Sequence, residues 1–359
     1  MIPPEPRAVF FGRNLLVSPS RSDSSAQYKA LTAQINSRIW AEGNITFPAV
    51  PAMLDDFTTK CADIFASLGR PCSEAELTHL RAVLDRKLTA AYTASHRSTV
   101  TVKYRSAVGG MLNYTVHDHC QTIDEVYHHW LTIREPPLFG TEPDARVTAL
   151  AAAAEDPRNF RVLDIGAGTG RNALALARRG HPVDVVEVTP KFADSIRDIA
   201  AAEALEVRVI QRDIFDTDDD LRSDYALIIL AGVVPEFREP QQLHRLFQTA
   251  ARCLAPGGRL VFEIFVAKDS YLPDDAARQF AQQAYSTFFT REEIAASVQG
   301  MPLTLEGDDS VYVYEKEHLP AGTWPPTGWY DGWSNGRDVF AMTREDCPIE
   351  LRWLVYRRD

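Results

Sequence analysis

The segment Val162-Leu163-Asp164-Ile165-Gly166-Ala167-Gly168-Thr169-Gly170-Arg171-Asn172 constrains this chain more than any other. Its apolar start reads as a strand buried on both faces. Glycine at every second position then lets the backbone turn sharply and pass close to a ligand with no Cβ in the way. A plain turn from strand to helix needs one glycine, so three in alternation read as a binding loop. The sequence after it repeats short apolar runs (161–165, 183–188, 207–211, 225–230 and 260–266) separated by amphipathic helices (172–179, 191–204 and 241–254), the last stopped by Pro256-Gly257-Gly258. That βαβ rhythm predicts an α/β fold with a doubly wound, mostly parallel sheet, whose ligands lie beyond the carboxyl ends of its strands. Segments 303–313 and 349–356 supply an antiparallel pair that brings the sheet to seven strands.

Pro136-Pro137, Gly140 and Pro143 form the clearest break, and the chain before them reads differently. Tyr28, Leu31, Ile35 and Ile39 recur at helical spacing, as do Met53, Phe57, Cys61, Ile64 and Leu68. Ser73-x-x-Glu76 is a capping box opening a helix with Leu77, Leu80, Leu84 and Leu88 on one face, and Thr122-x-x-Glu125 opens another carrying Ile123, Val126, Tyr127, Trp130 and Leu131. Between them, Val100, Val102 and Tyr104, then Leu112, Tyr114 and Val116, alternate with polar residues around Gly109-Gly110 and predict a hairpin. The expected organisation is an α-rich cap over 1–140, covering the carboxyl edge of a ligand-binding domain over 141–359. Near 318–345 stands an insertion with Trp324, Trp329 and Trp333. It reads either as an aromatic loop over an acceptor pocket or as a long connection packing on its own sheet.

Glu187 ends the second predicted strand, where a carboxylate can accept from both hydroxyls of a ribose, and Asp213 follows the third, placed to accept from an adenine amino group. With the loop, they describe an adenosine site. From Phe160 to about Val266 the chain resembles a class I S-adenosylmethionine-dependent methyltransferase: Asp164 to Gly170 matches that family's acidic-x-Gly-x-Gly-x-Gly motif, and Pro256-Gly257-Gly258 its usual turn before the fifth strand. The resemblance implies S-adenosylmethionine as cofactor, with Asp164, Gly166, Gly168, Gly170 and Asn172 against its methionine part, Glu187 on the ribose, Asp213 and Ile214 at the adenine, and the segment from Ala231 to Phe237 beside the transferable methyl. Gly170-Arg171-Asn172, with Phe289-Thr290-Arg291-Glu292-Glu293, is similar to the tellurite-resistance methyltransferase branch. A nicotinamide dehydrogenase would carry Gly-x-Gly-x-x-Gly, which this spacing lacks. The Asn-Pro-Pro-Tyr motif of amino-methylating nucleic-acid enzymes is absent, with Leu230-Ala231-Gly232-Val233 standing in its place.

Charge narrows the partners. The 359 residues carry 38 Lys and Arg against 49 Asp and Glu, a net −11, with no basic run of the kind that phosphate backbones or anionic membranes require. The expected acceptor is therefore a small molecule and neither nucleic acid nor membrane. No apolar stretch approaches the ~20 residues of a membrane span, and no secretory signal is visible at Met1, so a cytoplasmic location is expected. The five scattered cysteines lack a Cys-x-x-Cys pair and read as free thiols. Four histidines cluster at 117, 119, 128 and 129, but the helix would turn His128 and His129 about 100° apart, which argues against one shared metal. His117, His119 and Glu263 are the candidate general bases. A protein or peptide methyltransferase and a noncatalytic S-adenosylmethionine-binding protein stay open as alternatives, and the oligomeric state is left open.

Overall fold

The computed structural model describes residues 24–36, 38–106, 112–217 and 220–359. Its larger sheet grows outward from the predicted loop strand. We label β4 (Val162–Ile165), β5 (Val183–Val186), β6 (Val207–Ile210), β7 (Tyr225–Leu230), β8 (Leu254–Ala267), β9 (Phe288–Phe289), β10 (Leu303–Ser310) and β11 (Ile349–Arg358); three earlier strands follow below. The order is β10-β11-β8-β7-β4-β5-β6, parallel from β8 to β6 and antiparallel at β11 and β10. The expected doubly wound sheet is therefore present, and the strand order reverses between β4 and β7, where an open α/β sheet has its crevice. Among the described residues an eighth strand, the two-residue β9, pairs with β8.

Both faces of this sheet are covered, as its unbroken apolar strands require. Successive residues on a strand point to opposite sides, so Val162, Leu227 and Val261 join one core while Leu163, Ile228 and Phe262 join the other. In the second core Phe247, from the helix Pro240–Cys253, meets Phe262 edge-on at 5.8 Å and Tyr356 at 4.9 Å. A side chain of that size so buried contributes roughly 1.5 to 3 kcal/mol.

The segment before the Pro-Pro break has its own core. Strands β1 (Ala41–Pro48), β2 (Thr99–Ser106) and β3 (Leu112–His119) form an antiparallel sheet in that order. Against it pack the helices Leu54–Ser67 and Glu74–Ala94, burying Phe57, Cys61, Phe65, Leu80, Leu84 and Leu88. The predicted hairpin is β2 with β3, Val102 opposite Val116, while its Gly109-Gly110 turn lies outside the described residues. β1 was not expected, because 41–48 alternates only weakly in polarity. The helix Ser24–Asn36 forms where its periodicity predicts, but Tyr28, Leu31 and Ile35 are exposed. Both capping boxes are closed: Glu76 N and Glu125 N donate to Ser73 Oγ and Thr122 Oγ1. The predicted strand 303–313 stops at Ser310, which caps a helix Val311–His318 instead. Among the described residues no helix is long and apolar enough to cross a membrane.

Candidate active site

β4 ends in the glycine loop, which delivers the chain into the helix Arg171–Arg178. Gly166 and Gly168 both take positive φ, +67° and +56°, a conformation that side chains with a Cβ resist. At Gly166 a Cβ would stand 2.4 Å from Val233 Cγ2; at Gly168 it would stand 3.2 Å from Phe139 Cε2. The loop is thus threaded between the segment after β7 and the segment that follows the Pro-Pro break.

Two carboxylates face the loop, in different states. Glu187, just past β5, is nearly buried, and its oxygens accept from the backbone N–H groups of Gly168 and Thr189, each at 2.8 Å. Burial pushes its pKa up, against the pull of those bonds. Each oxygen keeps a lone pair for a further donor. Asp164 is buried near the end of β4, and its Oδ2 has no hydrogen-bond partner. Burial first, and then Asp144, raises its carboxyl to about 7. Such an orphaned acceptor is what a ligand with a donor would satisfy. Asp213 follows β6, spends Oδ1 on the backbone N–H of Phe215 at 2.9 Å, and borders the same space with Ile214.

Asn172 and Arg171 have a different part. Arg171 forks onto Asp144 at 2.6 and 2.8 Å, and Asn172 both donates to Asp144 Oδ2 at 2.8 Å and accepts from its backbone N–H at 2.9 Å. The side-chain amide of Asn172 is therefore occupied in tying the loop helix to the segment that enters the domain. Gly170 likewise turns away from the cavity and packs against Leu174 and Ile196. Asp164, Gly166, Gly168, Asn172, Glu187, Asp213, Ile214 and Ala231 all line one cavity of about 640 Å³.

The far end of that cavity is aromatic. Tyr127 and Trp130 come from the helix Ile123–Ile133, Trp329, Tyr330 and Trp333 from the insertion, and Tyr285 from the segment before β9. Both readings of the insertion hold in part: it reaches the cavity and packs on the sheet, Trp333 meeting Phe265 edge-on at 5.3 Å. On the floor lies Glu263 of β8, buried, with Oε1 accepting from Tyr330 Oη at 2.9 Å. Burial, and then the nearby charge of Asp144, raises Glu263 well above the ordinary carboxylate range, while the Tyr330 hydroxyl pulls the other way.

The other two candidate bases are not brought here. His117 and His119 stand on β3, both exposed, His117 Nε2 lying 3.0 Å from Thr115 Oγ1. The pleat decides this: Tyr114 and Val116 turn toward the core of the smaller sheet, so His117 must turn outward. His128 meets Lys191 Nζ at 2.7 Å, and among the described residues no group of three or more His, Cys, Asp or Glu could hold a metal ion.

Several contributors gave no sequence signal. Arg97, beside β2, donates to the carbonyls of Gln282 and Gln283 at 2.6 and 3.1 Å, pairs with Glu236, and lies 3.3 Å over the Tyr285 ring. Arg238 in turn donates to Tyr92 O at 2.8 Å. These bonds fasten the N-terminal segment along the rim of the cavity. Asp144 had no motif to announce it.

Residues 162–258 match the family described as a methyltransferase domain. The chain is 27% identical over 126 residues to tRNA 5-carboxymethoxyuridine methyltransferase of Escherichia coli (strain K12), which covers 34% of this chain and 47% of that protein. It is 34% identical over 120 residues to demethylmenaquinone methyltransferase of Deinococcus radiodurans, covering 32% and 46%. The chain thus spans less than half the length of these relatives. A solved structure of geranyl diphosphate C-methyltransferase from Streptomyces coelicolor A3(2) superposes at a TM-score of 0.48 with 16% identity, over 60% of this chain and 76% of that one. The glycine loop, Glu187 and Asp213 thus all fall within the segment that matches a methyltransferase domain.

Proposed function

We propose that this chain transfers a methyl group from S-adenosylmethionine to a small-molecule acceptor held under the aromatic wall. One observation carries the reading: the glycine loop with its carboxylates and the aromatic chamber with Glu263 line a single cavity. When bound, S-adenosylmethionine supplies an electrophilic methyl on a sulfonium. The residues present fit it. Asp164 Oδ2 lacks a partner that an ammonium would provide, Glu187 has lone pairs left for ribose hydroxyls, and Gly166 and Gly168 put no Cβ into the crevice.

The chain's own residues then have three tasks. Residues 123–139 and the insertion exclude water and hold the acceptor in line, which can supply most of the acceleration of a displacement reaction. Glu263 takes the proton that an oxygen, nitrogen or carbon acceptor gives up, and Tyr330 orients that carboxylate. We take 1–140 as the cap and 141–359 as the catalytic domain. The roofed cavity and the net −11 charge favour a small molecule over a nucleic acid, and the scattered cysteines, with no Cys-x-x-Cys pair, fit a reducing, cytoplasmic setting.

Calorimetry with S-adenosylmethionine, S-adenosylhomocysteine and NAD, each alone, tests the cofactor. Binding of NAD with none of the sulfonium compound would overturn the assignment. Incubating the protein and radiolabelled S-adenosylmethionine with cell-extract metabolites tests the acceptor, and label confined to tRNA or protein fractions would contradict the small-molecule reading.

A further inference from the structure

The aromatic chamber contains a cation, Arg134, that makes no ion pair among the described residues. Arg134 directly follows the helix Ile123–Ile133, and its guanidinium carbon stands 3.9 Å over the Trp130 ring centroid and 5.8 Å from that of Trp329. Stacking of this kind uses the face of the guanidinium and leaves its N–H edge pointing outward in the plane. Arg134 is half-buried and lines the cavity, and its Nη1 meets no acceptor among the described residues. The neighbouring arginines differ: Arg171 is satisfied by Asp144, and Arg97 by Glu236 and two carbonyls. A desolvated guanidinium donor with nothing to bond is unfavourable as it stands, so it selects for a ligand that brings an acceptor.

The shape of the space beside it is equally specific. The Trp130 and Tyr285 rings stand 5.0 Å apart, tilted by 48°, and Trp329 meets Trp333 edge-on at 5.6 Å. Tyr285 is held in the left-handed region at φ +56°, with Arg97 over its ring and its carbonyl accepting from Trp333 Nε1 at 2.8 Å. A non-glycine residue stays in that conformation only where its surroundings force it. Of the carboxylates at this end, Glu236 is paired with Arg97, Glu263 bonds Tyr330 and Asp338 has Arg337 as its charged neighbour.

We infer that the methyl acceptor bears an oxyanion, a carboxylate or phosphate, on a flat apolar body, with the oxyanion on Arg134 and the body against Trp130, Tyr285 and Trp329. This rests on the chamber being the acceptor site of the proposed methyltransferase. The methionine carboxylate of the cofactor offers the same chemistry, and the experiment separates the two sources.

Calorimetry on the full chain, saturated with S-adenosylhomocysteine, would compare 2-naphthoate and 2-naphthyl phosphate with the uncharged 2-naphthamide. At least one anionic probe should bind tenfold or more tightly than the amide. Arg134→Gln should bring that ratio below threefold, Arg134→Lys should retain part of it, and S-adenosylhomocysteine affinity should stay within threefold in both. Equal binding of anions and amide to the unmutated chain would overturn the proposal. So would an Arg134→Gln variant that keeps the anion preference but loses S-adenosylhomocysteine tenfold, since Arg134 would then hold the cofactor's carboxylate. If the unmutated chain binds no S-adenosylhomocysteine, the function proposed above fails. The anion–amide comparison, repeated without it, still decides the oxyanion site by the same criteria.

Discussion

Tyr330 donates its hydroxyl hydrogen to Glu263 across 2.9 Å, joining a short helix of the insertion to a central strand 67 positions earlier in the chain. Both residues are buried and both border the cavity. On the function proposed above, the bond gives the insertion a chemical role as well as a packing one, because it orients the carboxylate.

A pH profile tests that role. Burial raises the Glu263 pKa, so the carboxylate form needed of a base develops only as pH rises through neutrality. We predict a turnover that climbs across that range to a plateau. Glu263→Gln should slow turnover roughly 10²- to 10⁴-fold and flatten the climb. Tyr330→Phe removes a donor that favours the charged form and should move the climb to higher pH. A Glu263→Gln variant with the unmutated profile would remove Glu263 from the chemistry.

How much of this could be read beforehand depends on whether a residue acts through its neighbours in sequence. The loop strand, the glycine turn and the carboxylates at the ends of β5 and β6 follow from local patterns, since βαβ topology brings successive strand ends together. Glu263 was legible as an acidic residue in an otherwise apolar strand. His117 and His119 were candidate bases because they belong to a histidine cluster, while the pleat of β3 turns His117 to solvent and leaves both exposed. Asp144, Arg97 and Tyr285 were invisible for the opposite reason. Their partners, Arg171, Glu236 and Trp130, lie 27, 139 and 155 positions away, and no periodicity encodes such pairs.

The loop predicts its own failures. Gly168→Val puts a branched side chain at φ +56° and against Phe139, in the space a ligand needs. S-adenosylhomocysteine binding should fall below calorimetric detection while the melting temperature drops by only a few degrees. Glu187→Ala should weaken binding by about 1 to 3 kcal/mol through lost hydrogen bonds. Unchanged affinity in both variants would show that the cofactor binds elsewhere.

Asp164 gives a stability signature. Its folded pKa, about 7, lies above the ordinary carboxylate value of 3.8, so the folded state holds a proton that the unfolded state releases sooner. The associated stabilisation is fully present below the ordinary value and is lost as pH rises through about 7. Asp164→Asn carries no such proton and should lose less stability across that interval. Melting curves of both proteins from pH 4 to 8 measure the difference, and parallel curves would mean that Asp164 titrates normally.

The seam at Arg97 predicts a double-mutant result. Glu236 is half-buried, and the desolvation alone would raise its pKa, yet Arg97 and His96 outweigh that and hold it below the ordinary value. Arg97→Met leaves that carboxylate without its main counter-charge, and breaking a buried pair from one side costs about 3 to 5 kcal/mol. Adding Glu236→Gln removes the stranded charge and should recover most of the loss. Chemical denaturation of the two single variants and the double variant measures this coupling. If the double variant is as unstable as the sum of the singles, Arg97 fastens the N-terminal segment through the Gln282 and Gln283 carbonyls and the Tyr285 ring, and its pairing with Glu236 contributes nothing.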